Sequence, residues 1–281
     1  MKETRTSFYI ESASYLSFCE LCDACREQAN IGLSFGRPGV GKTEASLRYS
    51  AWSLIEANLS MRNGELIEPS KLASCDVLYY KPSITVSAQR LKSELSILKN
   101  RFYDMKSKAI TWQASGDWPS FCQSQPVKLI IVDEAHRLKY QALEELRDLQ
   151  ERWHAGVVLI GDPGMEVNLP RMFHFADRVR YVEKFEPLTL LDVVKYTDKQ
   201  VELLGVSKPT EEIYALIAAC TKGNPRKLGH LFALIQRVLK INDDIVHDIT
   251  KEVIDTAREL MLVGLTGLRP IEQPAGLANA V

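Results

Sequence analysis

The stretch Ile31-Gly-Leu-Ser-Phe-Gly-Arg-Pro-Gly-Val-Gly-Lys-Thr43 decides the fold. Its first five residues are an apolar run of strand length. The turn that follows, Gly36, Arg37, Pro38, Gly39, Val40, Gly41, Lys42 and Thr43, matches G-x-x-x-x-G-K-[ST] at every fixed position. Glu44 to Asn58 then has helical character. A glycine-rich turn between strand and helix wraps backbone N–H groups around phosphate, at the positive end of the helix dipole. In this pattern Lys42 contacts the β- and γ-phosphates and Thr43 ligates Mg²⁺. ATP and Mg²⁺ are the expected ligands.

A second run, Leu129-Ile-Ile-Val-Asp-Glu-Ala-His136, is four apolar residues ending in two acids. Asp133, at the strand tip, suits the Mg²⁺ shell. Glu134 suits the orientation and deprotonation of an attacking water. The letters Asp-Glu-Ala-His also occur in helicases, but those need tandem motor domains and a late arginine-rich motif. A small-molecule kinase would not need the acid pair. The expected core is an ATPase.

Working outward, Val77-Leu-Tyr-Tyr80, Gly156-Val-Val-Leu-Ile160 and Arg178 to Glu183 add strands, giving five in all. Ser87 to Lys99 and Tyr140 to Arg152 carry helical spacing between them. Leu59 to Cys75, with Asn63-Gly64 and Pro69, has loop composition. Alternating strands and helices predict a parallel doubly wound sheet. After Pro187 only helices remain: Thr189 to Leu204, Thr210 to Cys220, Arg226 to Lys240 and Asp243 to Val263. The expected domains are a helical segment over 1–30, an α/β domain over 31–186, a helical domain over 187–263 and a flexible tail over 264–281.

The 281 residues carry 35 Lys+Arg against 36 Asp+Glu, a net charge of -1, which excludes a polycation that binds nucleic acid over its whole surface. No apolar run approaches the 18 or so residues of a membrane helix. Lys2, Glu3, Arg5 and Glu11 interrupt the N-terminus, so no signal peptide is expected and the cytoplasm is the expected location. Cys19, Cys22 and Cys25 are spaced C-x-x-C-x-x-C, but they fall on a helical stretch without a second ligand pair. Small thiols so placed are expected to be core.

Further motifs follow in a fixed order. Leu159-Ile-Gly-Asp162 ends the fourth strand with a polar group where a γ-phosphate sensor would sit. Gly223-Asn-Pro-Arg-Lys-Leu228 opens a helix and resembles the second sensor of AAA+ ATPases, which implies that Arg226 reaches the nucleotide from a helical lid. Arg171, Arg178 and Arg180 all stand where an arginine finger would be. Arg178 is favoured because it directly precedes the fifth strand.

Within AAA+ the sequence resembles the transposition regulators MuB, TnsC and TniB. The resemblance rests on Tyr15 to Cys25, the phosphate loop, Ile130-Ile-Val-Asp-Glu-Ala-His-Arg-Leu138, Val158-Leu-Ile-Gly161 and Gly223-Asn-Pro-Arg226. It implies an ATP-dependent homo-oligomer, a filament or ring on double-stranded DNA, that selects target DNA and recruits a transposase. MuB has an N-terminal DNA-binding domain with no counterpart here, so the core itself would have to hold DNA. Lys99, Arg101, Lys106 and Lys108, with Phe102 and Tyr103 among them, are the candidate DNA surface between the second and third strands. Two other readings share the motifs: a helicase or initiator loader of the IstB/DnaC kind, and a nucleotide-switched scaffold. Intact Glu134 argues against the scaffold.

Overall fold

The computed structural model describes residues 8–60, 66–113, 127–168, 177–241 and 248–266. The chain divides into two compact units, Glu11–Glu186 and Pro187–Val281, the second also holding Met1–Ile10.

The first unit is built on five parallel strands in the order β2-β3-β4-β1-β5. They are β1 (Ile31–Phe35), β2 (Val77–Tyr80), β3 (Leu129–Val132), β4 (Gly156–Gly161) and β5 (Val179–Lys184). β2, β3 and β4 are buried throughout, as apolar strands covered on both faces must be. β5 lies at an edge, and its side chains alternate in burial. Helix α1 (Ala13–Gln28) buries Phe18, Leu21, Cys22 and Cys25 and packs on β1, β4 and β5. Its close approach depends on two glycines. A Cβ on Gly32 would stand 2.7 Å from the Cys25 sulfur, and one on Gly156 would overlap the Cys25 carbonyl oxygen. Cys22 and Cys25 are fully buried, and burial pushes the Cys25 thiol up to about 12, so both are core thiols rather than thiolates.

The helix expected over Glu44 to Asn58 is two helices, α2 (Lys42–Tyr49) and α3 (Trp52–Ser60). Ser50 turns its hydroxyl back onto the Ser46 carbonyl at 2.7 Å, and Ala51 takes a left-handed conformation. The break buries Trp52, whose ring lies 5.8 Å from that of Tyr79. The expected loop before β2 contains a short helix, α4 (Pro69–Ser74), with Pro69 at its first turn.

The helix expected to end at Lys99 runs on to Gln113 as α5 (Ala88–Gln113). Leu91, Leu95, Phe102, Met105, Lys106 and Ala109 continue one buried face at helical spacing. α6 (Tyr140–Trp153) covers the same side, and α7 (Met165–Asn168) follows β4.

The second unit packs α8 (Leu190–Leu204), α9 (Glu211–Thr221), α10 (Pro225–Ile241) and α11 (Lys251–Thr266) around Ile217, Leu228, Leu231, Ile235, Ile254 and Ala257. Thr189 and Asp192 form a reciprocal capping box at the start of α8, worth about 1 kcal/mol. The last helix starts at Lys251 rather than Asp243 among the described residues, because Thr250 accepts the Val253 N–H and starts it there. It also takes in residues 264–266 of the expected tail; residues 267–281 lie outside the described ones.

Candidate nucleotide site

The phosphate loop leaves the carboxyl end of β1. Gly39 and Gly41 adopt φ of 81° and 112°, conformations costly for any residue with a Cβ. A Cβ on Gly36 would overlap the Phe185 carbonyl oxygen, so the loop starts hard against the chain leaving β5. Val40 is buried and anchors the turn, while Arg37 and Pro38 are exposed. The Lys42 ammonium donates to the carbonyls of Gly36 and Arg37 and lies 3.5 Å from Asp162 Oδ1. Burial lowers the Lys42 pKa, and Asp162 partly offsets it.

Parallel pairing of β1 with β4, and of β4 with β3, brings three strand tips to this loop. Thr43 donates its hydroxyl to Asp133 Oδ2 at 2.9 Å. Glu134 follows in a left-handed conformation, φ 55°, a backbone state that costs about 1–3 kcal/mol. Its amide donates to Asp133 Oδ1 at 2.9 Å, which holds the turn. Asp162 directly follows β4, and oxygens of Glu134 and Asp162 and a ring nitrogen of His136 lie within 4.8 Å of one another. The Thr43 hydroxyl and the Asp133 carboxylate are an all-oxygen donor set in direct contact, which fits Mg²⁺.

Three further side chains stand at the site, none of them given a role by the motifs. Tyr79 donates to Asp133 Oδ2 at 2.9 Å. Lys81 stands 3.6 Å from Asp133 and 3.7 Å from Glu134. Arg137 stands 3.6 Å from Glu134 and donates to the Pro82 carbonyl at 3.1 Å. β2 pairs with β3 so that Tyr80 faces Val132, and the residue after β2 therefore lies beside Asp133. The signal was in the strand order, which no local pattern contains.

Arg178 is exposed and pairs with Glu151 at 3.3 Å. Val179 is in register with Ile31, so Arg178 sits at the amino ends of the strands, away from its own phosphate loop. Arg180 is exposed on β5, and Arg171 lies outside the described residues. Arg226 is exposed in the first turn of α10, in the helical unit.

The candidate DNA surface is corrected by the course of α5. Lys106 is buried, with its ammonium donating to the Cys75 carbonyl at 2.6 Å and Asp76 nearby. Arg101 donates to the Leu59 carbonyl at 2.6 Å, and Lys99 lies 4.3 Å over the Trp153 ring. Lys108 is exposed. The four cations therefore do not share one solvent face. Lys106 occupies a position on the apolar face, where its long stem packs while its amine caps the end of α4 at Cys75.

An AAA domain model matches residues 25–169, which span the phosphate loop, the acid pair and the tip of β4. The chain belongs to the AAA domain family. A Staphylococcus aureus protein described as a potential ATP-binding protein is 31% identical over 274 residues, covering 93% of this chain and 99% of that one. Among solved structures, the Thermotoga maritima RuvB Holliday junction branch migration motor is similar at TM-score 0.55 and 14% identity, over 89% of this chain and 70% of that one. The Aeropyrum pernix ORC1 protein in complex with DNA is similar at TM-score 0.54 and 16% identity, over 92% and 68%. These likenesses show the AAA+ ATPase fold, with its five-stranded parallel sheet and helical C-terminal region. No helix among the described residues is long and apolar enough to cross a membrane.

Proposed function

We propose that this AAA protein binds ATP with Mg²⁺ and hydrolyses it within a homo-oligomer assembled on double-stranded DNA. The observation that carries the reading is the convergence of Lys42, Thr43, Asp133, Glu134 and Asp162 at the carboxyl ends of β1, β3 and β4. Thr43 and Asp133 would hold Mg²⁺, which neutralises phosphate charge when bound. Lys42 would exchange loop carbonyls for phosphate oxygen. Glu134 would orient the water and take its proton. Asp162, beside Lys42, would keep that ammonium aligned and sense the γ-phosphate. Arg226 would contact the nucleotide from the helical unit, and Arg178 would act on the site of a neighbouring copy.

The DNA part draws support from the likeness to RuvB, a Holliday junction branch migration motor, and to ORC1, whose structure is a complex with DNA. The finer reading is a regulator that selects target DNA and recruits a transposase, supported by the resemblance of the motifs to MuB, TnsC and TniB. An IstB/DnaC-like loader is the second reading. The experiment is ATP turnover with duplexes of increasing length, alongside electron microscopy with a non-hydrolysable ATP analogue. Length-dependent stimulation and extended assemblies are expected. Turnover indifferent to DNA overturns the reading, and discrete rings without length dependence favour the loader.

A further inference from the structure

Helix α10, Pro225–Ile241, contains Arg226, Lys227, Arg237 and Lys240 together with His230, and not one acid. Outside this helix the chain carries 31 Lys+Arg against 36 Asp+Glu, so basic charge is concentrated here against an acidic remainder. The helix is cleanly two-faced. Leu228, Leu231, Phe232, Ile235, Val238 and Leu239 are buried in the helical unit's core. Arg226, Gly229, His230, Ala233, Arg237 and Lys240 are exposed on the other side, at the i, i+4, i+7 spacing of one stripe. Among the described residues, no ion pair involves Lys227, Arg237 or Lys240. Asp243 and Asp244, the next acids along the chain, lie outside the described residues.

The arrangement along the stripe matters as much as the charge. Gly229 and Ala233, with His230 between them, occupy its middle; Arg237 and Lys240 sit toward one end, and Lys227, exposed beside the stripe, toward the other. At about 1.5 Å per residue, Lys227 and Lys240 are roughly 20 Å apart along the axis. The major groove of B-DNA is about 12 Å wide. A helix lying against the duplex with its small middle toward the groove would therefore carry cations to phosphates on both sides. The connection into α10 is a three-residue turn, 222–224, of the length found in helix–turn–helix modules. It is fixed by Gly223, which takes φ 65°, receives the Leu188 N–H on its carbonyl at 2.8 Å, and has no room for a Cβ against the Leu188 carbonyl.

We infer that the exposed cations of α10 other than Arg226, namely Lys227, Arg237 and Lys240, form the surface that holds the phosphate backbone of double-stranded DNA, taking the place first expected of Lys99 to Lys108. The inference rests on the DNA-binding reading above and locates it. Contact is chiefly with phosphate, so binding discriminates little among sequences.

The test measures affinity of the full chain for a fluorescein-labelled 50-base-pair duplex, with a non-hydrolysable ATP analogue, across a salt series. Each phosphate contact contributes about 0.9 to the slope of log affinity against log salt. The double variant Arg237→Gln with Lys240→Gln should lose about 1.8 from that slope and bind at least tenfold more weakly. Its affinity for a fluorescent ATP analogue and its melting temperature should not change, since both side chains are exposed. A control, Lys195→Gln with Lys199→Gln, removes the same charge from exposed positions of α8 and should keep the parental slope. If the α10 variant keeps the parental affinity and slope while the parent binds DNA, the location is wrong and the DNA-binding reading stands. If the parent binds no duplex, both fall. Equal loss in the control would also overturn the location, because any cation would then serve.

Discussion

Thr43 and Asp133 lie 90 residues apart in the chain, and the hydroxyl of one donates to the carboxylate of the other at 2.9 Å. That contact joins the first turn of α2 to the tip of β3. It exists because β4 enters the sheet between β1 and β3, so that the phosphate loop faces a strand tip two places away. Tyr79 donates to the same carboxylate oxygen at 2.9 Å, and Lys81 stands 3.6 Å from it. Asp133 is thereby fixed in orientation, while Glu134, one residue on, is partly exposed and directed toward the site.

The separation of roles between Lys42 and Glu134 is testable with two substitutions. Lys42→Ala is expected to abolish productive ATP binding, because the phosphates lose their main cation. Glu134→Gln is expected to bind ATP at near-parental affinity and to lose at least a hundredfold in turnover, since an amide cannot accept the proton of water. Titration with a fluorescent ATP analogue, with turnover measured on the same samples, distinguishes the two. Parental turnover in Glu134→Gln would place the base elsewhere.

Arg178 is expected to act between copies. It is at the opposite end of the strands from its own phosphate loop, and its exposed pair with Glu151 is worth about 0.5 kcal/mol, too little to hold it from a neighbour. Arg178→Ala should leave ATP binding intact and reduce oligomer-dependent turnover about 10³-fold. Mixing it with Glu134→Gln should restore part of the activity, because mixed interfaces contain one complete site. Parental turnover in Arg178→Ala would move the role to Arg171 or Arg180.

What could be read from the chain beforehand divides along physical lines. The phosphate loop and the acid pair are contiguous motifs whose flanking apolar runs also declare their strands, so local pattern suffices. The break at Ser50 needed knowledge that Trp52 would be buried against Tyr79, which is a tertiary matter. Lys81 and Tyr79 reach the site only through the pairing of β2 with β3. Lys106 misled because a cation on an apolar stripe has the same letters as a solvated one. The carbonyl of Cys75 and the nearby Asp76, both supplied by another segment, account for its burial.

Gly36 offers a test of how closely the loop is fitted. A Cβ there would overlap the carbonyl oxygen of Phe185, which is backbone and cannot swing aside. Phe185 also donates its amide to the Phe35 carbonyl at 2.7 Å, so the two chain segments are tied at this point. Gly36→Ala is therefore expected to cost about 1–3 kcal/mol of stability and to weaken ATP binding together with it. Thermal melting with and without ATP measures both effects. Unchanged melting would mean that the segment carrying Phe185 yields freely.

Glu183 supplies a pH dependence independent of the nucleotide. It is half-buried on β5, and burial, with Glu20 as a lesser contributor, pushes its carboxyl up to about 7. The Ser34 hydroxyl donates to one oxygen at 3.4 Å and partly opposes the shift, while the other oxygen is buried without a hydrogen-bond partner. An unfolded glutamate titrates near its ordinary 4.5. Between about 4.5 and 7 the folded chain therefore keeps a proton that the unfolded chain has released. By linkage the folded state loses stability as pH rises through that window, with the full penalty present above it. Glu183→Gln removes the titration while keeping a carbonyl oxygen for Ser34. The variant should melt higher than the parent, with a small margin at pH 5 and a larger one at pH 8. A margin that is equal at the two pH values would show that Glu183 titrates alike in the folded and unfolded chains.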